Sequence, residues 1–171
     1  MKLKLLAATA AVALVAFDAR FRLVGPSGER VVPSAEFFTL PEVNPARENV
    51  LGPDEVIAEV IVPLPARPVR STYHKEMDRE AWTHAIVSAA IVLELDGGTC
   101  RRASVVLGGV APVPWRSSRA ERLLVGSVVD AGRAAMAADA AVTGAAPLNK
   151  NGYKVPLTRA IVRRTILSAS A

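Results

Sequence analysis

The tripeptide Asp96-Gly97-Gly98 constrains this chain more than any other feature, because it separates two long apolar runs, residues 85–95 and residues 101–110. Glycine reaches positive φ at little steric cost, so two glycines in succession predict a tight hairpin turn joining antiparallel strands. Residues 71–77 supply a third strand pattern just before them. The spacing then changes to that of helices. Ser117 and Ser118 can cap a helix over 119–125, Asp130 can cap the alanine-rich stretch 131–143, and Gly144 can end it. After the Asn151-Gly152 break, Leu157, Ile161, Val162, Ile166 and Leu167 recur at helical spacing. A few strands followed by a block of helices predict an α+β unit: a small antiparallel sheet with helices packed on it.

A second, smaller unit precedes this one. Phe17, Ala19, Phe21 and Leu23 alternate onto one face of a strand, Gly25-Pro26-Ser27-Gly28 turns the chain, and residues 29–32 return. Pro33 and Ser34 open a short helical turn over 35–38, residues 39–54 form a loop, and residues 55–62 are a β-branched strand stopped by Pro63. Pro63, Pro65 and Pro68 make a stiff connector. The expected domains are therefore 1–66 and 67–171.

Composition excludes several classes. With 171 residues, 51% apolar and 22% charged, the chain is globular rather than disordered. The single Cys100 allows no intrachain disulfide and no cysteine-built cluster, and His74 and His84 cannot alone complete a structural zinc site. Each histidine reads as a surface or packing residue. The net charge of +5 invites a nucleic-acid reading. Yet the arginines are scattered, and the densest group, Arg159, Arg163 and Arg164, has no interleaved aromatics. A solvated basic surface is the simpler account, so no nucleic acid is expected. No apolar run is long enough for a membrane span. Met1-Lys2-Leu3-Lys4 and the apolar stretch to Phe17 have the outline of a secretory signal, but that stretch merges directly into the strand at 17–24. Signal peptide and buried alanine-rich helix both fit this pattern.

Three stretches carry a family resemblance. The first is Ala11-Val12-Ala13-Leu14-Val15-Ala16-Phe17-Asp18-Ala19 with Gly25-Pro26-Ser27-Gly28-Glu29-Arg30. The second runs from Val50-Leu51-Gly52-Pro53-Asp54-Glu55-Val56-Ile57 to Val62-Pro63. The third is Leu107-Gly108-Gly109-Val110-Ala111-Pro112-Val113-Pro114-Trp115-Arg116, followed by Asn151-Gly152-Tyr153-Lys154-Val155 and Arg159-Ala160-Ile161-Val162-Arg163-Arg164. In this order they resemble the C-terminal half of the FAD-binding medium subunit of molybdenum hydroxylases, the xanthine dehydrogenase, aldehyde oxidoreductase and CO dehydrogenase flavoprotein family. The aldehyde oxidoreductase branch looks most similar.

The resemblance implies a remnant of an FAD-binding subdomain followed by a CO dehydrogenase flavoprotein C-terminal-like domain. It implies that the N-terminal apolar stretch is a helix leading into a strand. It implies FAD as cofactor, with Ile57 and Lys75 as flavin contacts, Arg79 nearby, and no catalytic or metal-binding residue. Ile57 is expected to be a buried strand residue, and Trp115 a packing or subunit-interface anchor. The implied partners are a large subunit holding the molybdenum cofactor and a small iron–sulfur subunit, from which electrons pass through FAD to an acceptor, in the cytoplasm. Family members carry glycine-rich pyrophosphate-binding segments before this region. Their absence here predicts a truncated member with weak FAD binding and little activity alone. The alternatives are an exported, non-enzymatic binding protein, in the periplasm or outside the cell, and a non-functional gene fragment.

Overall fold

The computed structural model describes residues 10–79 and 84–171; residues 1–9 of the signal-peptide reading lie outside them. The elements follow in chain order. Helix α1 (10–16) leads into β1 (Arg20–Gly25), β2 (Gly28–Pro33), α2 (Ser34–Phe37) and β3 (Val56–Ile61). Then come β4 (Val69–Glu76), β5 (Val87–Asp96), β6 (Thr99–Gly108), β7 (Trp115–Arg116), α3 (Ser118–Leu124), α4 (Ala131–Ala141) and α5 (Lys154–Ser170).

Two antiparallel sheets result. The first has the order β2-β1-β3 and the second β4-β5-β6-β7. The predicted hairpins form as read: Gly25 pairs with Gly28, and Asp96 pairs with Thr99 across Gly97 and Gly98, whose φ values are 57° and 85°. The short strand β7 was not in the expectation of about three strands. Its two residues pair with Val106 and Leu107, too few to leave a periodic signal in the sequence.

The helical block forms where the caps predicted. Ser117 Oγ accepts from the Ala120 N–H and Asp130 Oδ1 from the Arg133 N–H. In α4, Ala134, Ala137, Ala138 and Ala141 line one buried stripe. Their small side chains let α4 lie against α5. Pro156 lies in the first turn of α5, where a missing N–H costs no helical hydrogen bond. Thr158 and Thr165 are buried on this helix, and each hydroxyl donates to the carbonyl four residues back, at 2.6 and 2.7 Å. These helices bury Ala89, Ile91 and Leu93 of β5 with Ala103, Val105 and Leu107 of β6.

The opposite face of the second sheet is also covered. Val12, Val15 and Ala16 of α1 pack on Ala90, Val92 and Val106. On its other flank α1 meets the first sheet, where Leu14 lies against the cluster of Phe21, Leu23, Val32 and Phe37. The α1 segment is thus the helix leading into a strand, and it is wedged between the two sheets. Burial on both faces explains why seven consecutive β5 residues, from Val87 to Leu93, read as one unbroken apolar-and-small run.

Candidate functional site

The first two sequence stretches meet in one ion pair. Arg30, just past the Gly25–Gly28 turn, forks onto Glu55 through Nε and Nη2, both at 2.8 Å, and Nη2 also donates to the Val50 carbonyl at 2.9 Å. Glu55 Oε2 accepts the Gly52 N–H at 2.6 Å. The Arg30 guanidinium, helped by that N–H, holds the Glu55 carboxyl down at about 2. A Cβ at Gly25 or Gly52 would come within 3.1 Å of the Glu55 side chain, so both glycines clear space for it. The Gly-Pro-Asp-Glu turn is thereby fixed where it feeds β3.

Ile57 stands two residues further on, opposite Leu23. The register slips between Arg22 and Leu23, leaving Ala58 as the extra residue of a bulge. The bulge keeps Ile57 and Val60 on one face despite their odd spacing, the face of Leu23 and Phe21. The expectation of a buried Ile57 is corrected: it is 42% exposed, because β3 is an edge strand and every residue from Val56 to Val60 is exposed. An edge strand has neighbours on one side only, so its inward-facing side chains stay half covered.

Lys75 lies near the end of β4, opposite Ser88, half-buried. Strand alternation puts it on the same face as Tyr73, Ala90 and Val92, which is the face α1 covers. Arg79 follows in an exposed segment after the strand. Ile57 and Lys75 thus belong to different sheets that share α1 as their filling. His74 faces the other way, its Nε2 3.3 Å from Glu76 Oε2. No group of three His, Cys, Asp or Glu residues suited to a metal occurs among the described residues. Cys100 is fully buried, and burial pushes its thiol up to about 11, so it is a packed and unreactive group.

The third stretch carries residues to which the sequence assigned no role. A Cβ at Gly108 would stand 2.5 Å from Ser88 Oγ and 2.7 Å from Val12 Cγ2, so this glycine lets α1 reach the sheet. Gly109 has φ 74° and sits under the Ile86 carbonyl, while the Gly109 carbonyl accepts from Lys154 Nζ at 2.9 Å. Arg116, last of the Pro-Trp-Arg run, binds Asp18 of the first stretch and Glu121 of α3, and Arg102 joins Asp18 at 3.3 Å. Burial works against the Arg116 charge, but the two carboxylates hold its pKa above the usual value. Glu121 Oε1 also accepts the Val105 N–H at 2.9 Å. This network ties the chain before β1 to the second sheet. Gly108, Gly109, Arg116, Lys154 and Asp18 lie inside the quoted motifs, whereas nothing in the sequence flagged Arg102 or Glu121.

A mixed apolar and polar groove of about 240 Å³ opens beside this motif, between β7, the α4–α5 connection and the start of α5.

Comparison with known proteins matches residues 72–169 to the CO dehydrogenase flavoprotein C-terminal domain. The carbon monoxide dehydrogenase medium chain of Afipia carboxidovorans is 29% identical over 157 residues, covering 90% of this chain and 52% of that protein. The aldehyde oxidoreductase FAD-binding subunit PaoB of Escherichia coli is 31% identical over 163 residues, covering 94% and 48%. The carbon monoxide dehydrogenase of Hydrogenophaga pseudoflava, solved without the Mo-pyranopterin moiety of its cofactor, superposes with a TM-score of 0.83 at 29% identity, over 93% of this chain and 55% of that one. The chain spans about half the length of the curated relatives it matches.

Proposed function

The chain belongs to the CO dehydrogenase flavoprotein C-terminal domain family, and from that premise we propose that it is part of the FAD-binding subunit of a molybdenum hydroxylase. Its partners would be a large molybdenum-cofactor subunit and a small iron–sulfur subunit. Its role would be electron output rather than transformation of the organic substrate. The observation that carries this reading is the likeness of 93% of this chain to a solved carbon monoxide dehydrogenase chain, at a TM-score of 0.83.

The residues present fit one end of FAD. The half-exposed Ile57 offers an aliphatic surface on which a flat ring system can lie and lose contact with water. Lys75 places an ammonium near the sheet face that α1 covers, where a cation stabilises an anionic ring. The Arg30–Glu55 fork holds the turn that aims β3, and so positions Ile57. FAD would supply the electron-accepting ring, and the chain's own residues orient it and set its charge balance. The phosphate end finds no cradle among the described residues. A Cβ at Gly25, Gly52, Gly108, Gly109 or Gly132 would meet the protein itself, and the open glycines Gly28, Gly97, Gly98, Gly126, Gly144 and Gly152 lie in turns or at their edge. Weak flavin binding by this chain alone is expected for that reason.

We divide the chain at 66/67, within the proline connector, and place it in the cytoplasm. The exported alternative predicts cleavage near Ala13 or Ala19, whereas Val12, Val15, Ala16 and Ala19 are core residues here. No helix among the described residues is long and apolar enough to cross a membrane.

The test is purification of the tagged chain from its host. Co-purification with a molybdenum-cofactor subunit and an iron–sulfur subunit, with flavin absorbance in the complex, is the expected result. Recovery of the chain alone, without either subunit, would overturn the reading. A chain that holds stoichiometric FAD by itself would show that the phosphate-end argument is wrong.

A further inference from the structure

Ile57 and Lys75, the two proposed flavin contacts, stand on different sheets. The gap between them is therefore set by whatever fixes one sheet against the other. Most of that joint is apolar. Val12, Val15 and Ala16 of α1 face the second sheet, Leu14 faces the first, and Phe38 packs against both clusters. Apolar burial opposes separation, but it is non-directional and does not by itself fix how one sheet slides over the other.

The turn that ends α1 adds the direction. The Asp18 N–H donates to the Val15 carbonyl at 3.1 Å and the Ala19 N–H to the Leu14 carbonyl at 2.9 Å. This is a Schellman motif with Asp18, at φ 52°, in its left-handed position. Glycine is the usual residue there, because it has no Cβ to strain. Asp18 gives up that ease and supplies a carboxylate instead. The main chain of the turn is tied to the first unit: the Ser34 N–H donates to the Ala19 carbonyl at 2.7 Å, and Ser34 Oγ to the Leu14 carbonyl at 3.3 Å. The Asp18 side chain is tied to the second. Its Oδ1 accepts from Arg116 Nη1 and its Oδ2 from Arg102 Nη1. Arg116 Nε also donates to Glu121 Oε1 at 2.8 Å, and that oxygen accepts the Val105 N–H at 2.9 Å. The guanidinium is thus anchored to β6 as well as to Asp18. Half-exposed ion pairs add modest stability, but their hydrogen bonds are directional. One residue has its backbone held by one sheet and its charge held by the other.

We propose that Asp18 is a positioning residue for the flavin ring: its carboxylate, clasped by Arg116 and Arg102, fixes the slide of the first sheet over the second and so sets the gap between Ile57 and Lys75. The proposal rests on the reading of those two residues as flavin contacts. It gives Asp18 and the arginine of the Pro-Trp-Arg run, which lie in two separate sequence stretches, a common task.

Two measurements test it on Asp18→Asn, which tolerates the left-handed backbone and removes the charge. Arg116→Ala is the second variant and breaks the clasp from the other side. The first measurement needs no flavin. Nitroxide labels on Val31→Cys of β2 and Met136→Cys of α4, both half-exposed positions, report the distance between the two units by pulsed EPR on the full chain. Cys100 is fully buried with its thiol pushed up to about 11, so it escapes labelling. The chain with Asp18 should give one narrow distance distribution, and both variants a broader or displaced one. The second measurement uses the complex with the partner subunits and follows FAD retention and the visible circular dichroism of the flavin. Each variant should weaken FAD retention on the order of fivefold and change the flavin spectrum. Lys75→Met should weaken retention too, but leave the distance distribution narrow. An unchanged distribution in both clasp variants would overturn the proposal. So would a broadened distribution with FAD retention intact while Lys75→Met lowers it, and in that case the flavin contacts themselves stand. If Lys75→Met and Ile57→Ala both leave the flavin untouched, the contact reading has failed and this proposal falls with it.

Discussion

The two sheets of this protein are built on different principles. The second sheet buries β5 on both faces, under α3–α5 on one side and α1 on the other, and every residue from Val87 to Leu93 is inaccessible. The first sheet has one small cluster on one face, and its edge strands β2 and β3 are almost wholly exposed. Its outer face is held by ion pairs instead. Arg22 bridges Glu29 and Glu59 there, both at 2.9 Å, across all three strands, while Arg30, opposite Leu23 on the other face, grips Glu55. Burial of apolar area gives large and non-directional stability, whereas exposed ion pairs give little. The second sheet is thus the stable part, and the first is a platform whose shape rests on charge and turn geometry. The proposed flavin contacts fall one on each, Ile57 on the platform and Lys75 on the edge of the stable sheet.

The largest effects test the stable sheet. Ile91→Ala should remove about 2–5 kcal/mol from global unfolding, because the site is enclosed on all sides and cannot collapse. Ile57→Ala should cost about 1 kcal/mol or less, since much of the side chain is already in water. Urea denaturation of both variants measures the contrast. Equal losses would mean that the first sheet is buried by something the comparison ignores.

Gly108→Ala comes next. The new methyl must displace Val12 or Ser88, and overpacking of this kind costs about 1–3 kcal/mol. The strain should also loosen α1 from the second sheet. Cys100 lies under the other face, so its alkylation rate should rise only as far as global stability falls. Labelling of Cys100 that greatly outruns the loss of stability would show that the two faces of the sheet open separately.

The stable sheet was readable in the sequence because its signals are local. Two glycines at positive φ fixed a hairpin, and Ser117 and Asp130 capped helices one turn from their partners. The contacts that join the two units, Asp18 to Arg116 and Val12 over Gly108, and the Arg30–Glu55 fork within the first unit were not readable, because they span long sequence separations. Residue type alone does not say which arginine meets which carboxylate. The candidate site was legible only as positions. Ile57 was located on the correct strand, but its exposure depends on β3 being an edge, and that follows from the pairing of β1 with both β2 and β3.

A smaller effect probes the joint between the units. Asp18 has φ 52°, in the left-handed region, and its carboxylate meets Arg102 and Arg116. Asp18→Ala keeps the strained backbone and loses both contacts, and should cost about 1–2 kcal/mol. Asp18→Gly also loses the contacts but relaxes the backbone, and should cost about 0.5–1 kcal/mol less than Asp18→Ala. If the two variants are equally stable, the backbone at this position is not strained.

The smallest effect is local and should appear only with pH. The Glu55 carboxyl is held at about 2 in the folded chain, against an ordinary value of 4.5. A depressed folded pKa means that the opened segment takes up the proton first. The contribution of Glu55 is therefore complete above about pH 4.5, and it fades as pH falls from there toward 2. Amide exchange at Gly52 and along β3 should speed up in this window, ahead of any change at β5, because the Arg30–Glu55 fork anchors the turn and not the buried sheet. Glu55→Gln should produce the same fast exchange at neutral pH and remove its acid dependence. If β3 and β5 lose protection together in both experiments, the two sheets open as one unit and the platform has no separate stability. If only β3 responds, Ile57 sits on an element that can shift while Lys75 stays fixed, and a ring held between them would bind more weakly in acid than at neutral pH.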